Sequence, residues 1–505
     1  MSYYLIGIGG TGARCMEAFI HLCGAGLLED SQPVKLVYVD ADVSCGNLTK
    51  TQETADFYEK AREIGFSKSG MFKNDLESAK LWTPVEEKRN TMDEVFQYNS
   101  LVNRKDTQAL GYLYESLYTE QERTTNLDKG FRGHPAIGSA VMNQKMSEKE
   151  EPWNDLLPQI NADKDAKIFL FASVFGGTGA AGFPTIAKLL KKVLKKDTDG
   201  RCIAHIGGAL VLPYFQFPAA SGSDADEMQA KVDEFMLNTK SALDYYDRSG
   251  LLENSGKGSG VFTSIYMVGD NDLSEVKKFS LGSGEQKNAA NIVELYAALA
   301  AFDFFNKKKY DIGATPMIGR AEDNGDAIEW EDLPNVCMTG NLKDKLSAFV
   351  KVLYVYKHGV LPSLEECAKD QKHKRQVAWY RDLVEKAGNI DVYENRAVMD
   401  QFTALGDYTD RFFDWMKDII TSSKRQINLV NQQACNTDGL AQKLFPLDAH
   451  EVILPITKGK NRLTHKEFWQ RLCDYAKKMD KTNASGAEVL MQAVYEICSD
   501  QDKKN

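Results

Sequence analysis

Apolar positions along this chain follow two rhythms. Tyr3-Tyr-Leu-Ile-Gly-Ile8, Val34-Lys-Leu-Val-Tyr-Val39, Lys167 to Val174, Cys202 to Leu212 and Val261 to Val268 are short runs, rich in β-branched and aromatic residues and bounded by turn formers. Continuous apolar runs of this length are expected of strands buried on both faces of a parallel sheet. Between them the apolar residues recur at helical spacing: Cys15, Phe19 and Leu22; Ile186, Leu189, Leu190 and Val193; and the stretch from Met228 to Tyr246. The alternation predicts βαβ units, hence an α/β fold built on a Rossmann-like parallel sheet.

A second pattern divides the chain. From about residue 47 to 128 it is polar, helix-rich and poor in strand signals, which reads as a helical insertion off the sheet. Asn288 to Phe305 is alanine-rich and apolar almost all round, with Ile292, Leu295, Tyr296, Leu299 and Phe302 on one stripe. A helix of that kind is buried, and a long central helix between two parts of the molecule is expected here. Beyond about Lys343 the pattern is mainly helical: Leu346 to Tyr356, Gln376 to Ala387, Tyr408 to Ile420 and Phe468 to Met479, with Val452-Ile-Leu-Pro455 a lone strand candidate. The expected organisation is a sheet domain over 1–287, carrying the insertion; the central helix over 288–306; and a second, mainly helical domain over 307–505.

Composition narrows the class. The 505 residues are 43% hydrophobic and 27% charged with net charge −10, which disfavours nucleic acid or an anionic membrane as the direct partner. Met1-Ser-Tyr-Tyr4 leads straight into a strand, and the most apolar stretch, Ala289 to Phe305, carries Asn291, Glu294 and Asp303, so a cytoplasmic protein without a membrane span is expected. Nine cysteines lie scattered without metal-binding spacing and read as reduced, small core residues.

The chemistry is carried by glycine turns. Phe175-Gly-Gly-Thr-Gly-Ala-Ala-Gly-Phe-Pro184 joins a strand to a helix, and Gly176, Gly177 and Gly179 carry no Cβ to keep an anion from the backbone N–H groups. Gly7-Ile-Gly-Gly-Thr-Gly12 is a similar turn after the first strand, and the second strand ends in Asp40-Ala-Asp42. That first motif is also the dinucleotide-binding fingerprint. A third loop, Lys129-Gly-Phe-Arg-Gly-His-Pro-Ala-Ile-Gly138, is bent by three glycines and a proline.

With these loops in this order, the sequence resembles the tubulin and FtsZ superfamily, most closely its bacterial tubulin-like branch, from residue 1 to about 340. Gly9, Gly10, Thr11 and Gly12 stand in what is similar to that family's first nucleotide loop, Asp40 and Asp42 in the second, Gly133 and His134 in the third. Gly176, Gly177, Thr178 and Gly179 resemble the signature loop, and Pro213-Tyr-Phe-Gln-Phe217 the fifth. Phe175 replaces the signature loop's first glycine, its last glycine is shifted to Gly182, and His134 replaces an aspartate. The resemblance implies GTP or GDP bound across the carboxyl ends of the sheet, with Mg²⁺ carried through the phosphates. It implies a head-to-tail homopolymer, a cytoskeletal filament, in which an acidic loop completes the neighbour's site. On it, Asn291 would contact the guanine, where the alternative is a helix N-terminal cap, with Asp270 and Asn271 as further candidates. Ala327-Ile-Glu-Trp-Glu-Asp-Leu333 aligns with the catalytic loop and places Glu329 and Asp332 on its two acids, although an insertion precedes it.

Three functions follow. The first is a tubulin-like GTPase whose hydrolysis is coupled to polymerisation. The second is a nucleotide-binding scaffold that does not hydrolyse and serves protein partners of a bacterial multi-protein system. The third, an NAD-dependent oxidoreductase on the Gly7 motif, would leave two glycine loops unused. Cell division, DNA positioning and phage defence are not distinguished by these residues.

Overall fold

The structure is a computed structural model that describes residues 2–66, 69–86, 88–131, 133–198, 200, 202–216, 232–253, 260–270, 273–275, 283–310, 327–435, 447–455, 463–478 and 486–499. Arg132, Phe217, residues 228–231, Asn271, residues 311–326 and Met479, all named or spanned above, lie outside them.

Six strands form one all-parallel sheet. β1 (Tyr3–Ile8), β2 (Val34–Val39), β3 (Leu76–Ser78), β4 (Lys167–Ser173), β5 (His205–Val211) and β7 (Ser264–Val268) lie in the order β3-β2-β1-β4-β5-β7. The chain thus builds outward from β1 to one edge and from β4 to the other. β1 and β4 are neighbours at the point where the strand order reverses, where doubly wound sheets open a ligand crevice at their carboxyl ends. Two minor pairs complete the strands: β6 (Phe215–Gln216) with β8 (Ser274–Glu275), and β9 (Ala327–Ile328) with β10 (Gln426–Ile427).

Strand alternation sorts the core into two layers. Tyr3 and Leu5 of β1, with Phe169 and Phe171 of β4, face helices α1 (Gly9–Gly24), α2 (Gly46–Arg62) and the central helix, α11 (Ile292–Asn306). Tyr4, Ile6 and Ile8, with Ile168, Leu170 and Ala172, face α7 (Pro135–Lys145), α8 (Trp153–Ala162) and α9 (Gly177–Val193). In β5, Gly207 and Gly208 lack a Cβ where one would meet Phe304 and Phe169 on one face and Phe183 on the other, which brings aromatic side chains down onto the strand.

The polar stretch is not wholly an excursion. Gly46–Arg62 is a helix packed against α1, and Leu76–Ser78 extends the sheet at its edge. Their polar composition arises because α2 buries small and hydroxylated residues, Thr51 and Thr54 among them, whose hydroxyls return to backbone carbonyls. Only the remainder is an outlying helical group: α3 (Met92–Val95), α4 (Tyr98–Asn103), α5 (Gln108–Leu117) and α6 (Glu120–Thr124). Along the chain, α10 (Val232–Arg248) follows β6.

The C-terminal part contributes α12 (Leu342–Val355), α13 (Leu361–Lys369), α14 (Gln371–Gln376), α15 (Arg396–Ile420), α16 (His465–Lys478) and α17 (Glu488–Ser499). Its side chains, such as Phe349, Tyr408, Phe412 and Trp415, belong to the same apolar cluster as α1, α2 and α11. The expected strand at 452–455 is instead a helical turn over Ala449–Val452, with Ile453 bridged to Val430.

α11 is buried along its length: Ala297, Ala298, Leu299, Ala300, Ala301 and Phe302 are all inaccessible to solvent. Phe302 stacks on Phe19 of α1 at 4.5 Å between ring centroids. Phe302→Ala should lower the unfolding free energy in urea by about 3–5 kcal/mol, the usual cost of removing a buried aromatic ring.

Candidate functional site

Both glycine turns open helices at the sheet's switch point. α1 starts at Gly9 directly after β1, and α9 at Gly177 after β4; neither Ile8 nor Gly176, the residues before them, offers a side chain to cap the first N–H groups. Two helix ends with unsatisfied donors and aligned dipoles attract an anion. The two ends touch: a Cβ on Gly9 would lie 3.2 Å from Thr178 Cβ and 3.4 Å from the Gly179 nitrogen. Gly9 has φ +71°, a conformation glycine adopts freely and a branched residue does not.

The third loop closes on the same point. A Cβ on Gly177 would meet Phe131 Cβ at 2.8 Å and the Gly133 nitrogen at 3.1 Å, while Gly130 faces open space with Thr178 Oγ1 at 4.0 Å. His134 precedes α7, with its backbone N–H donating to the Phe131 carbonyl at 2.8 Å. The structure therefore brings Gly9, Gly10, Thr11, Gly12, Gly133, His134, Gly176, Gly177, Thr178 and Gly179 around one cradle at the carboxyl edge. Gly12 and Gly179 serve it from behind. A Cβ on Gly12 would strike the Phe171 carbonyl oxygen at 2.8 Å, and one on Gly179 the Ser173 carbonyl oxygen at 2.7 Å, so both glycines let a helix end sit down on a strand.

The acids after β2 join the cradle. Thr178 Oγ1 donates to Asp40 Oδ1 at 3.4 Å, and the Asp42 N–H donates to the same carboxylate at 3.2 Å. Asp42 accepts from the Ser44 N–H at 3.0 Å and from the Ser283 N–H at 2.5 Å. Burial, with the charge of Asp42 adding to it, pushes the Asp40 carboxyl up to about 7.

Beneath the cradle lies a charged knot that the sequence did not disclose. Arg14 of α1 donates from Nε to Glu294 Oε1 at 2.5 Å and from its terminal nitrogen to the Tyr214 hydroxyl, and that hydroxyl donates to Glu294 Oε1 at 2.6 Å. Burial works to discharge Arg14; the oxygens of Tyr214 and Glu294 outweigh it and hold the guanidinium charged. Pro213 and Tyr214 follow β5, so the fifth loop is tied to α1 and α11 through this knot. Phe175, in the family glycine's place, is a buried ring packed on Phe215 at 5.4 Å and Phe235 at 5.1 Å. The helical period of α1 and α11 was the signal available: each puts a charged residue on a stripe that is otherwise apolar.

Asn291 caps α11. Its Oδ1 accepts the Val293 N–H at 2.9 Å, its Nδ2 donates to Ser274 Oγ at 2.7 Å, and Glu294 Oε2 accepts the Asn291 N–H at 3.0 Å. The amide oxygen expected to read a base is thus committed to the helix end, as an N-terminal cap requires. Asp270 lies 3.9 Å from Arg425.

Glu329 and Asp332 stand apart from the cradle. Glu329 precedes and Asp332 ends a single turn, Trp330–Asp332, in which Asp332 Oδ2 accepts the Glu329 N–H at 2.8 Å. Trp330 is buried and donates to the Leu454 carbonyl at 2.8 Å, and Tyr296 of α11 donates to the Asp332 carbonyl at 3.0 Å. From this turn the chain runs to Val336, whose carbonyl is held by Asn306 at the C-terminal end of α11, the end away from the cradle. Among the described residues no group of three or more His, Cys, Asp or Glu is placed to hold a metal ion, and no helix is long and apolar enough to cross a membrane.

Residues 4–243 match a family model described as "Tubulin like". Among solved structures, the chain matches a GTPγS-bound protofilament of CetZ2 from Haloferax volcanii at 15% identity and a TM-score of 0.25, covering 59% of this chain and 56% of that one. The chain thus spans just over half of that neighbour's length. No curated protein sequence matches.

Asp40 gives the site a pH signature. Its carboxyl holds a proton in the folded protein up to about pH 7, whereas the unfolded chain releases it near pH 4. Between those values the folded state binds more protons, so stability falls as pH rises, by about 1.4 kcal/mol per pKa unit. Asp40→Asn should remove that component, so the melting-temperature difference between variant and parent should grow in the variant's favour from pH 4 to pH 7; a constant difference would contradict the assignment.

Proposed function

We propose that this protein, whose residues 4–243 match the tubulin-like family model, is a GTPase that binds GTP in the cradle and assembles head to tail. The observation that carries the reading is the meeting of two uncapped helix N-termini and a third glycine loop at the switch point of a parallel sheet. That arrangement offers backbone donors from three loops to a run of phosphates, more than one phosphate group would use. Gly9, Gly10, Thr11, Gly177, Thr178 and Gly133 would face the phosphates, with Gly12, Gly176 and Gly179 setting the backbone that does so. Asp40 and Asp42 would stand beside them, and Mg²⁺ would enter on the phosphate oxygens and offset their charge. The fifth loop at Pro213 and the cap at Asn291 would wall the side where sugar and base extend.

Hydrolysis, in this reading, needs a second subunit. On the tubulin-like reading, stacking one copy on the next would bring Glu329 and Asp332 toward the neighbour's phosphates. There an acid would orient or deprotonate the attacking water. Asp332 already braces its own turn. That bracing also supports the second reading, a scaffold that holds nucleotide without turning it over. The domain division at residue 306, between the nucleotide-binding part and the part carrying the acidic turn, belongs to the same proposal.

GTP turnover per subunit, measured as protein concentration is raised and with light scattering followed together, separates the two readings. Turnover that climbs cooperatively with scattering is expected of a shared active site, and binding with flat turnover of the scaffold. Glu329→Ala should leave GTP binding unchanged and slow turnover by about a hundredfold, the range typical of a lost general base; equal turnover would show that the acid acts elsewhere. Gly179→Val should abolish binding by pushing the first turn of α9 off Ser173, with circular dichroism checking that the fold survives; undiminished affinity would remove the phosphate site from this turn.

A further inference from the structure

The cradle has one wall unlike the others. Its floor is the ends of β1 and β4, and one side is the third loop, packed on Gly177 through Phe131. The facing side is the segment 283–288, laid along the loop that runs from Asp42 to Asn47. Asn47 is buried and reaches Gly10 of the first turn: a Cβ there would lie 3.3 Å from Asn47 Nδ2. The same carboxamide grips the segment twice, donating to Asn288 Oδ1 at 3.1 Å and accepting the Asn288 N–H at 2.8 Å. Ser283 donates its N–H to Asp42, and Ala290, just beyond, donates its own to Asp418 Oδ2 of α15 at 3.1 Å.

Polar contacts alone hold this wall down. Gly284, Glu285, Lys287 and Ala289 are exposed, and the segment contributes no side chain to either apolar core. An element tied by a few hydrogen bonds and no buried apolar area opens at small cost, while the loops facing it are anchored in the core. Gly46 marks how closely it lies: a Cβ there would fall 2.6 Å from Lys287 Cγ and 2.7 Å from the Gly284 carbonyl oxygen.

We propose that residues 283–288 are a strap that gates nucleotide exchange, latched by the reciprocal hydrogen bonds of Asn47 and Asn288 and hinged at Ala290 on α15. This rests on the nucleotide-binding reading of the cradle. A nucleotide enters and leaves when the latch opens, and the latch sets the rate of both steps without setting their ratio. Because the hinge is held by Asp418, movement of α15 relative to α11 bears on the strap directly.

Two variants open it by different means. Asn288→Ala removes one latch bond at a partly exposed position, and Gly46→Ala drives a methyl group into the strap's backbone. With the full chain and a fluorescent N-methylanthraniloyl GDP, stopped-flow association and chase with unlabelled GDP should both accelerate about tenfold, as loss of one or two hydrogen bonds permits, with Kd within threefold of the parent. Should Gly46→Ala misfold, Asn288→Ala decides alone. Unchanged rates in variants that bind would overturn the gate and leave nucleotide binding standing. Faster dissociation with unchanged association would also overturn it, since the strap would then be a direct contact. A parent protein that binds no guanine nucleotide would sink both.

Discussion

The ion pair of Arg14 with Glu294 is the contact on which the arrangement of this molecule depends. α11 is apolar around almost its whole circumference, and a helix of that kind slides readily in an apolar slot, because hydrophobic burial has no direction. Arg14 and Glu294 convert that slot into a fixed register. Glu294 is wholly buried and Arg14 nearly so, so losing either partner strands a charge at a cost of about 3–5 kcal/mol. With Tyr214 as third member, the knot ties the helix after β1, the loop after β5 and the first turn of α11. Lys50 repeats the device nearby, 3.2 Å from Glu17 of α1, with Asp418 of α15 at 3.9 Å. Polar contacts thus fix the registers of helices whose mutual attraction is apolar.

That register matters because the cradle tolerates little displacement. Three loops approach one another at distances where a single methyl group would collide, and each depends on the helix or strand behind it. Gly12 and Gly179 lie against the strand ends, so α1 and α9 deliver their N-termini only while those strands hold still. The sheet supplies this stability from both layers, with aromatic side chains packed at Gly207 and Gly208 from opposite sides. The segment from Ser283 to Asn288 lies outside the apolar core, where it meets the second loop mainly through hydrogen bonds.

Much of this was legible in the chain itself. Short apolar runs named the parallel strands, and the alanine-rich period of α11 announced its burial, because strand and helix rhythms reflect the faces they bury. The glycine turns were legible as tight strand-to-helix turns, since closely spaced glycines between a buried strand and a helix leave the backbone N–H groups uncovered. Less visible was anything that depends on residues far apart meeting. Arg14, Tyr214 and Glu294 are ordinary in sequence, and nothing local says that they converge. Asn291 shows the reverse case: its spacing before the helix fitted either a base contact or a cap, and the side-chain oxygen goes to the Val293 N–H. The polar composition of Gly46–Arg62 concealed a packed helix, because threonine hydroxyls that bond their own backbone can be buried at little cost.

The acids beside the cradle pose a problem that their burial resolves. Two carboxylates next to the proposed anion site would repel its ligand if both were ionised. Asp42 accepts the N–H groups of Ser44 and Ser283, whose dipoles offset its charge. Asp40 is enclosed, beside Asp42, and its carboxyl rises to about 7, so near neutral pH a large share of the molecules carry it uncharged. A protonated carboxyl can donate as well as accept, and it presents an anion with a hydrogen-bond donor instead of a like charge. The burial that costs stability as pH rises is therefore the same feature that would let an acid stand beside a bound anion.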